Sequence, residues 1–208
     1  MFNINPDGLR KRIRHILLVG AVGAGLLTLN ACTADVPPFV GVDITGANYA
    51  KDFDLTDQTG QRRTLADFRG KAVVIFFGYT QCPDVCPTSM TEMAEAKALL
   101  GADGERFQGL FLSVDPERDT PEVMAAYVGN FDPTFKALYA DPGQLKQVAQ
   151  DFKIYYKKVE GKTPTSYTMD HSAGSFTFDP QGRVRLYNRH ASGAAALAAD
   201  AKILLSGK

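Results

Sequence analysis

Two cysteines separated by three residues stand in a short Pro-rich turn, Cys82-Pro83-Asp84-Val85-Cys86-Pro87. Side chains four apart on a helix share one face and converge on one point. The same separation is compatible with a disulfide, whose Cα atoms lie about 4.4–6.8 Å apart. A helix N-terminus beside them would lower thiol pKa through its positive partial charge. The pair therefore reads as a dithiol, a disulfide or a bidentate metal clamp. Two intervening residues would point to a thiol–disulfide oxidoreductase, and three favour a metal. A purely structural pair fits poorly, because a polar, Pro-rich turn is not core and so small a closed loop stabilises little. Two soft thiolates select Cu(I), with Zn as the competitor.

A third ligand is then needed. The histidines are His15, His171 and His190. His15 lies in an N-terminal basic and apolar segment, and spacing does not choose between the other two. Met90, Met93, Met124 and Met169 are candidate weak ligands, although helix-spaced methionines more often fill core.

The elements that must position these residues follow from periodicity. Residues 53–55 alternate apolar and acidic as in a half-buried strand, and 57–60 form a turn. Residues 72–77 are a continuous apolar, β-branched and aromatic run, as in a strand buried on both faces. The cysteines follow that strand directly, where reactive groups gather in open α/β sheets. Residues 87–100 have helical spacing and 110–114 form a second buried strand. Thr120-Pro121-Glu122 opens a helix to about 128, with proline in its first turn. A short strand at 137–139, a helix from Asp141-Pro142 to about 152 and a strand at 154–159 come next. Strands 175–178 and 184–187 flank the turn Asp179-Pro180-Gln181-Gly182, and 194–205 form a closing amphipathic helix. The segment from 160 to 170 reads as a loop. Periodicity supports a mixed sheet with helices on both faces.

Three separated segments resemble the Sco/SenC family: Gly78-Tyr79-Thr80 with Cys82-Pro83-Asp84-Val85-Cys86-Pro87, then Ser113-Val114-Asp115-Pro116-Glu117-Arg118-Asp119-Thr120-Pro121, then Asp170-His171-Ser172. Phe178-Asp179-Pro180-Gln181-Gly182 follows as it does there, and the likeness covers residues 50–206. The resemblance implies a thioredoxin-like fold and service in assembling the binuclear copper centre of cytochrome c oxidase. It implies copper, as Cu(I) or Cu(II), held by Cys82, Cys86 and His171, and the oxidase copper-centre subunit as partner. Two roles follow: a copper chaperone, or a reductase of the oxidase's copper-ligand cysteines working through a Cys82–Cys86 disulfide. A three-coordinate copper site needs His171 and a reductase does not, so the chaperone is the preferred reading, without catalytic residues beyond the redox pair. A peroxidase fits less well, because Thr80 stands only two before Cys82. His190 is left as a surface or core-edge imidazole. Asp84 is expected to cap the following helix, and Asp170 to orient the His171 ring. Asp115, Arg118 and Asp119 either hold the site's shape, meet the partner, or form a solvated turn.

The N-terminus supplies location. Arg10, Lys11, Arg12 and Arg14 precede an uncharged apolar run at 16–29. That run is short of the roughly 20 residues a membrane span needs, and a basic region before it reads as a secretory signal. Leu29-Asn30-Ala31-Cys32 resembles a bacterial lipoprotein cleavage box. Asn30 departs from the small or apolar residue usual there. Residues 1–31 are expected to be signal peptide, 32–50 a lipidated Cys32 and flexible tether, and 51–208 the copper-binding domain. The expected location is the periplasmic side of a bacterial inner membrane, an oxidising compartment where nearby thiols can pair. Acyl chains on Cys32 would anchor the chain firmly. Lys+Arg and Asp+Glu balance at 23 each, which gives no electrostatic case for nucleic acid. Cys32→Ser is expected to release the protein from membranes or leave it unprocessed; fractionation and migration identical to wild type would contradict lipidation.

Overall fold

The computed structural model describes residues 38–163 and 166–207. The signal segment, Cys32 and the first residues of the tether lie outside the described residues. Among those described, no helix is long and apolar enough to cross a membrane.

The strands are β1 Val42–Asp43, β2 Asp54–Asp57, β3 Arg62–Thr64, β4 Ala72–Gly78, β5 Phe107–Ser113, β6 Lys136–Tyr139, β7 Tyr156–Glu160, β8 Tyr167–His171, β9 Ser175–Phe178 and β10 Val184–Asn188. The α-helices are α1 Val85–Leu99, α2 Pro121–Gly129, α3 Pro142–Phe152 and α4 Ala194–Leu205. Among the described residues, eight strands form a mixed sheet in the order β1-β10-β9-β4-β5-β6-β2-β3, while β7 and β8 pair only with each other. β4, β5 and β6 run parallel, and β9 closes antiparallel on β4.

Every residue of β4 is buried, which explains why its sequence lacks alternation. Successive side chains point to opposite faces of the sheet. On one face Gly78 looks toward Cys86 of α1, and Phe111 packs on Tyr127 of α2. On the other, Phe77 packs on Phe152 of α3, which also meets Phe176 and Phe178. α4 lies against α1. Helices thus cover both faces. Removing a fully buried ring such as Phe152 would cost about 3–5 kcal/mol.

Local signals mostly acted as the sequence predicts. Thr120 caps α2 through Val123 N–H, and Asp141 with Gln144 forms a capping box on α3. Two features differ. The expected loop from 160 to 170 ends in the strand β8, in register with β7 from Tyr156↔His171 to Glu160↔Tyr167. The ordered fold also takes in residues before Lys51: β1 pairs with β10, Ala50 is fully buried, and the buried Asp200 carboxylate accepts from the N–H groups of Val40 and Gly41. Strands as short as these give too few residues for periodicity to reveal them, and they exist through their partners.

Asp57 closes the turn between β2 and β3 while buried. Its burial opposes the charge. Hydrogen bonds from the Thr59 hydroxyl, Arg63 and the N–H groups of Thr59 and Gln61 outweigh that and hold its carboxyl down at about 2. A carboxylate pKa depressed by folding contributes stability above its unfolded value, and the contribution fades as pH falls through the folded value. Asp57→Asn should therefore destabilise by about 1–3 kcal/mol at pH 7. In denaturant unfolding the gap to wild type should narrow as pH falls from about 4 toward 2; a constant gap across that range would contradict the assignment.

Candidate metal centre

The strand β4 ends at Gly78, and the chain turns through 79–84 into α1. The helix starts at Val85, two residues earlier than its sequence periodicity suggests, so Cys86 lies in its first turn and Cys82 in the turn before it. Asp84 stands at the N-cap, but its side chain makes no capping hydrogen bond. Its backbone, at φ −144° and ψ −70°, is outside the extended region from which a cap side chain reaches the next N–H groups. The Cys86 N–H donates instead to the Cys82 sulfur at 3.4 Å. The expected cap at Asp84 is therefore replaced by a thiol.

His171 arrives at the end of β8. Its Nε2 lies 3.5 Å from Cys86 Sγ. Among the described residues, one ligand atom each from Cys82, Cys86 and His171 lie within 4.8 Å of one another. Both cysteines are free thiols, Cys86 buried and Cys82 half-buried. Two thiols and an imidazole form a donor set that suits a soft cation. Gly78 makes room for it: a Cβ there would approach Cys86 Sγ to 2.8 Å.

The electrostatics are those of a dry site. Burial pushes the Cys86 thiol up, against a backbone hydrogen bond from Tyr79. Burial also pushes the His171 pKa down, against its bond to the Ser172 carbonyl. For Cys86 burial overrides the acidifying helix N-terminus that the sequence suggested. His171 Nδ1 lies 2.9 Å from the Ser172 carbonyl, so Nδ1 carries the proton and donates it there, while Nε2 faces the sulfur as an acceptor. Ser172, not Asp170, thus orients the ring; Asp170 is exposed and stands opposite Lys157. Tyr79 and Phe76 present their rings edge-on to the imidazole at 5.8 and 6.0 Å.

Asp115 and Asp119 are buried, not a solvated turn. Asp119 accepts from Thr80 N–H at 3.2 Å, from the Thr80 hydroxyl at 2.6 Å and from the Ser113 hydroxyl at 2.6 Å. It thereby pins the residues before Cys82 to the end of β5. Met90, Met93 and Met124 sit in the apolar core. His190 is exposed, with Nδ1 3.3 Å from the Ser89 hydroxyl, and stands outside the ligand group. Sequence reasoning overlooked Tyr79, Ser172 and Tyr167. The first two stand near the candidate ligands in their own motifs, and Tyr167 shares a strand face with His171 at a spacing of four.

The chain is thus a thioredoxin-like α/β protein with a dithiol–imidazole cluster at the end of its central strand. It belongs to the SCO1/SenC family, whose sequence model matches residues 42–206. A SCO2-like protein of Rickettsia felis is 36% identical over 170 residues, covering 80% of this chain and 82% of the relative. Among solved structures, copper-bound ScoI of Bradyrhizobium japonicum is 42% identical, with a TM-score of 0.67 over 74% of this chain and 97% of that one. Apo Sco1 of Thermus thermophilus is 35% identical, with a TM-score of 0.69 over 80% and 95%.

His171→Ala should keep the fold and the dithiol chemistry but weaken Cu(I) binding at least tenfold, a change of roughly 1.4 kcal/mol. His190→Ala should change little. Competition against a chelator of known affinity measures both, and the reverse pattern would contradict the ligand choice.

Proposed function

We propose that this protein is an exported, lipid-anchored copper chaperone that hands copper to the copper-centre subunit of cytochrome c oxidase. The observation that carries the reading is the imidazole. A dithiol alone serves redox exchange, whereas His171 Nε2 aimed at Cys86 Sγ from 3.5 Å supplies a third donor. The copper held by the Bradyrhizobium japonicum ScoI structure supports copper as the cargo. The resemblance of the three sequence segments to Sco/SenC proteins supports the oxidase as recipient. The basic and apolar N-terminal segment with Cys32 supports anchoring on the periplasmic side of the inner membrane.

In this reading Cys82, Cys86 and His171 hold the ion. The free site is uncharged at Cys86, so a soft cation must displace the thiol proton as it binds. Thiolate ligation is strong for Cu(I), and an imidazole third ligand completes a sphere that two thiolates leave open. A recipient with more donors then draws the ion away. Oxidation of the pair to a disulfide removes both thiolates and with them the site.

The reductase is the second reading, favoured by the unequal exposure of the thiols. The half-buried Cys82 can attack a target disulfide, forming a mixed disulfide and releasing one target thiol. Cys86 would then attack the Cys82 sulfur, releasing the second target thiol and leaving Cys82–Cys86 oxidised. The raised pKa of Cys86 makes its thiolate scarce, which slows that second step.

The reduced protein should bind one copper per chain and the oxidised form none, and it should load a pre-reduced oxidase copper domain. Abundant mixed disulfide from a Cys86→Ser variant, with no copper transfer under reducing conditions, would move the assignment to the reductase.

A further inference from the structure

Arg118 has no part in the chemistry above, yet it is packed between the two pieces of chain that bring the ligands together. Its side chain is 17% exposed and its Nε donates to the buried Asp115 carboxylate. Nη1 donates to the Tyr167 carbonyl at 3.0 Å, on β8, and to Gln81 Oε1 at 3.2 Å, next to Cys82. The guanidinium carbon lies 3.5 Å from the centre of the Tyr167 ring and 5.6 Å from that of Tyr79. The Tyr167 hydroxyl donates back to Asp115 at 2.8 Å. Nη2 is buried without a hydrogen-bond partner, so the cation is held chiefly by one carboxylate and aromatic faces.

Such burial is a weak source of stability and a strong fixing of geometry. The fold has a need for that fixing. Among the described residues β7 and β8 form a two-stranded sheet hydrogen-bonded to no other strand, and an isolated hairpin is marginal by itself. The main sheet therefore does not set the angle at which β8 leaves it. Tyr167 and His171 are at opposite ends of β8, about 13 Å apart at the usual rise per residue. A change of tilt at Tyr167 is carried along the strand to the imidazole. Two other ties reach this hairpin: Lys158 to Glu117, which is more exposed and touches no residue of the cysteine turn, and a backbone hydrogen bond from Met169 to the Tyr79 side chain, which lacks the charge and the planar fork of Arg118.

We propose that Arg118 is a positioning residue: it locks the β7–β8 hairpin to the cysteine turn and so sets the reach of His171 Nε2 over Cys86. This rests on the reading of Cys82, Cys86 and His171 as metal ligands. The effect is geometric, so lysine, which keeps the charge but not the planar fork, does not replace arginine.

The test is a double-mutant cycle on the full-length chain, reading Cu(I) affinity by chelator competition. Arg118→Ala should weaken binding about tenfold in the wild-type background and less than twofold when His171→Ala is already present. Arg118→Lys should behave like Arg118→Ala, and the Cys82–Cys86 reduction potential should stay at its wild-type value in both. If Arg118→Ala fails to fold, Arg118→Met with Asp115→Asn removes the guanidinium together with the charge it neutralises, and the same cycle is run. Equal losses in both backgrounds, no loss in either, or full rescue by lysine would overturn the positioning role. If His171→Ala by itself leaves Cu(I) affinity unchanged, the ligand assignment has failed, and the cycle registers that separately from Arg118.

Discussion

The Cys86 sulfur is wholly buried beneath the end of β4, 3.5 Å from an imidazole that arrives from 85 residues further along the chain. Burial favours the neutral form of both groups, and their contact lets each satisfy the other: the thiol proton faces Nε2, and Nδ1–H is taken by the Ser172 carbonyl. Much of the surrounding architecture serves this contact. Gly78 has no side chain because the sulfur occupies that space. The rings of Phe76 and Tyr79 pack at steep angles against the imidazole. A site with two soft sulfur donors, one of them buried, gains most from a soft cation, which repays proton loss at Cys86 with strong thiolate bonds. A hard cation would face the same desolvation with poorer ligands.

Three independent pieces of backbone meet there, and polar contacts between their side chains hold them in place. Asp119 ties the turn before Cys82 to the end of β5. Asp115 and Arg118 tie the same loop to β8. The helix start carries Cys86 rigidly. The ligand arriving on a separate hairpin is thus the one whose position owes least to the main sheet. The thiols are fixed by the core, and the imidazole rides on an element with its own, separate attachment.

The same pair of thiols serves either copper transfer or disulfide exchange, and the two uses make opposite demands on Cys86. Exchange is fastest with a readily ionised resolving thiol. Ligation tolerates a buried thiol of raised pKa, because the incoming cation displaces the proton. Cys86 has the second character, while Cys82, exposed in part, has enough access to begin either process. The fold buries the two thiols unequally, and that inequality bears on both uses.

Much of the site was legible in the sequence. The spacing of Cys82 and Cys86 after a continuous apolar strand fixed where two ligands would lie, because strand and helix periodicity are local properties. The capping signals at Thr120 and Asp141 and the hairpin turn before Gly182 acted as their residue types dictate. The choice of His171 over His190 was beyond spacing, and came only from likeness in the segment around it. β8 was read as a loop, since only Met169 among its five residues is aliphatic or buried, and the strand forms by pairing with β7. The role of Asp84 was misjudged because a cap depends on backbone angles that packing sets. Asp115, Arg118 and Asp119 could be read equally as a solvated turn until the structure buried them. Sequence by itself determined which chemically competent groups exist and which local elements carry them. Tertiary structure alone decided which imidazole meets the sulfur and which thiol is dry, because both follow from contacts between residues far apart in the chain.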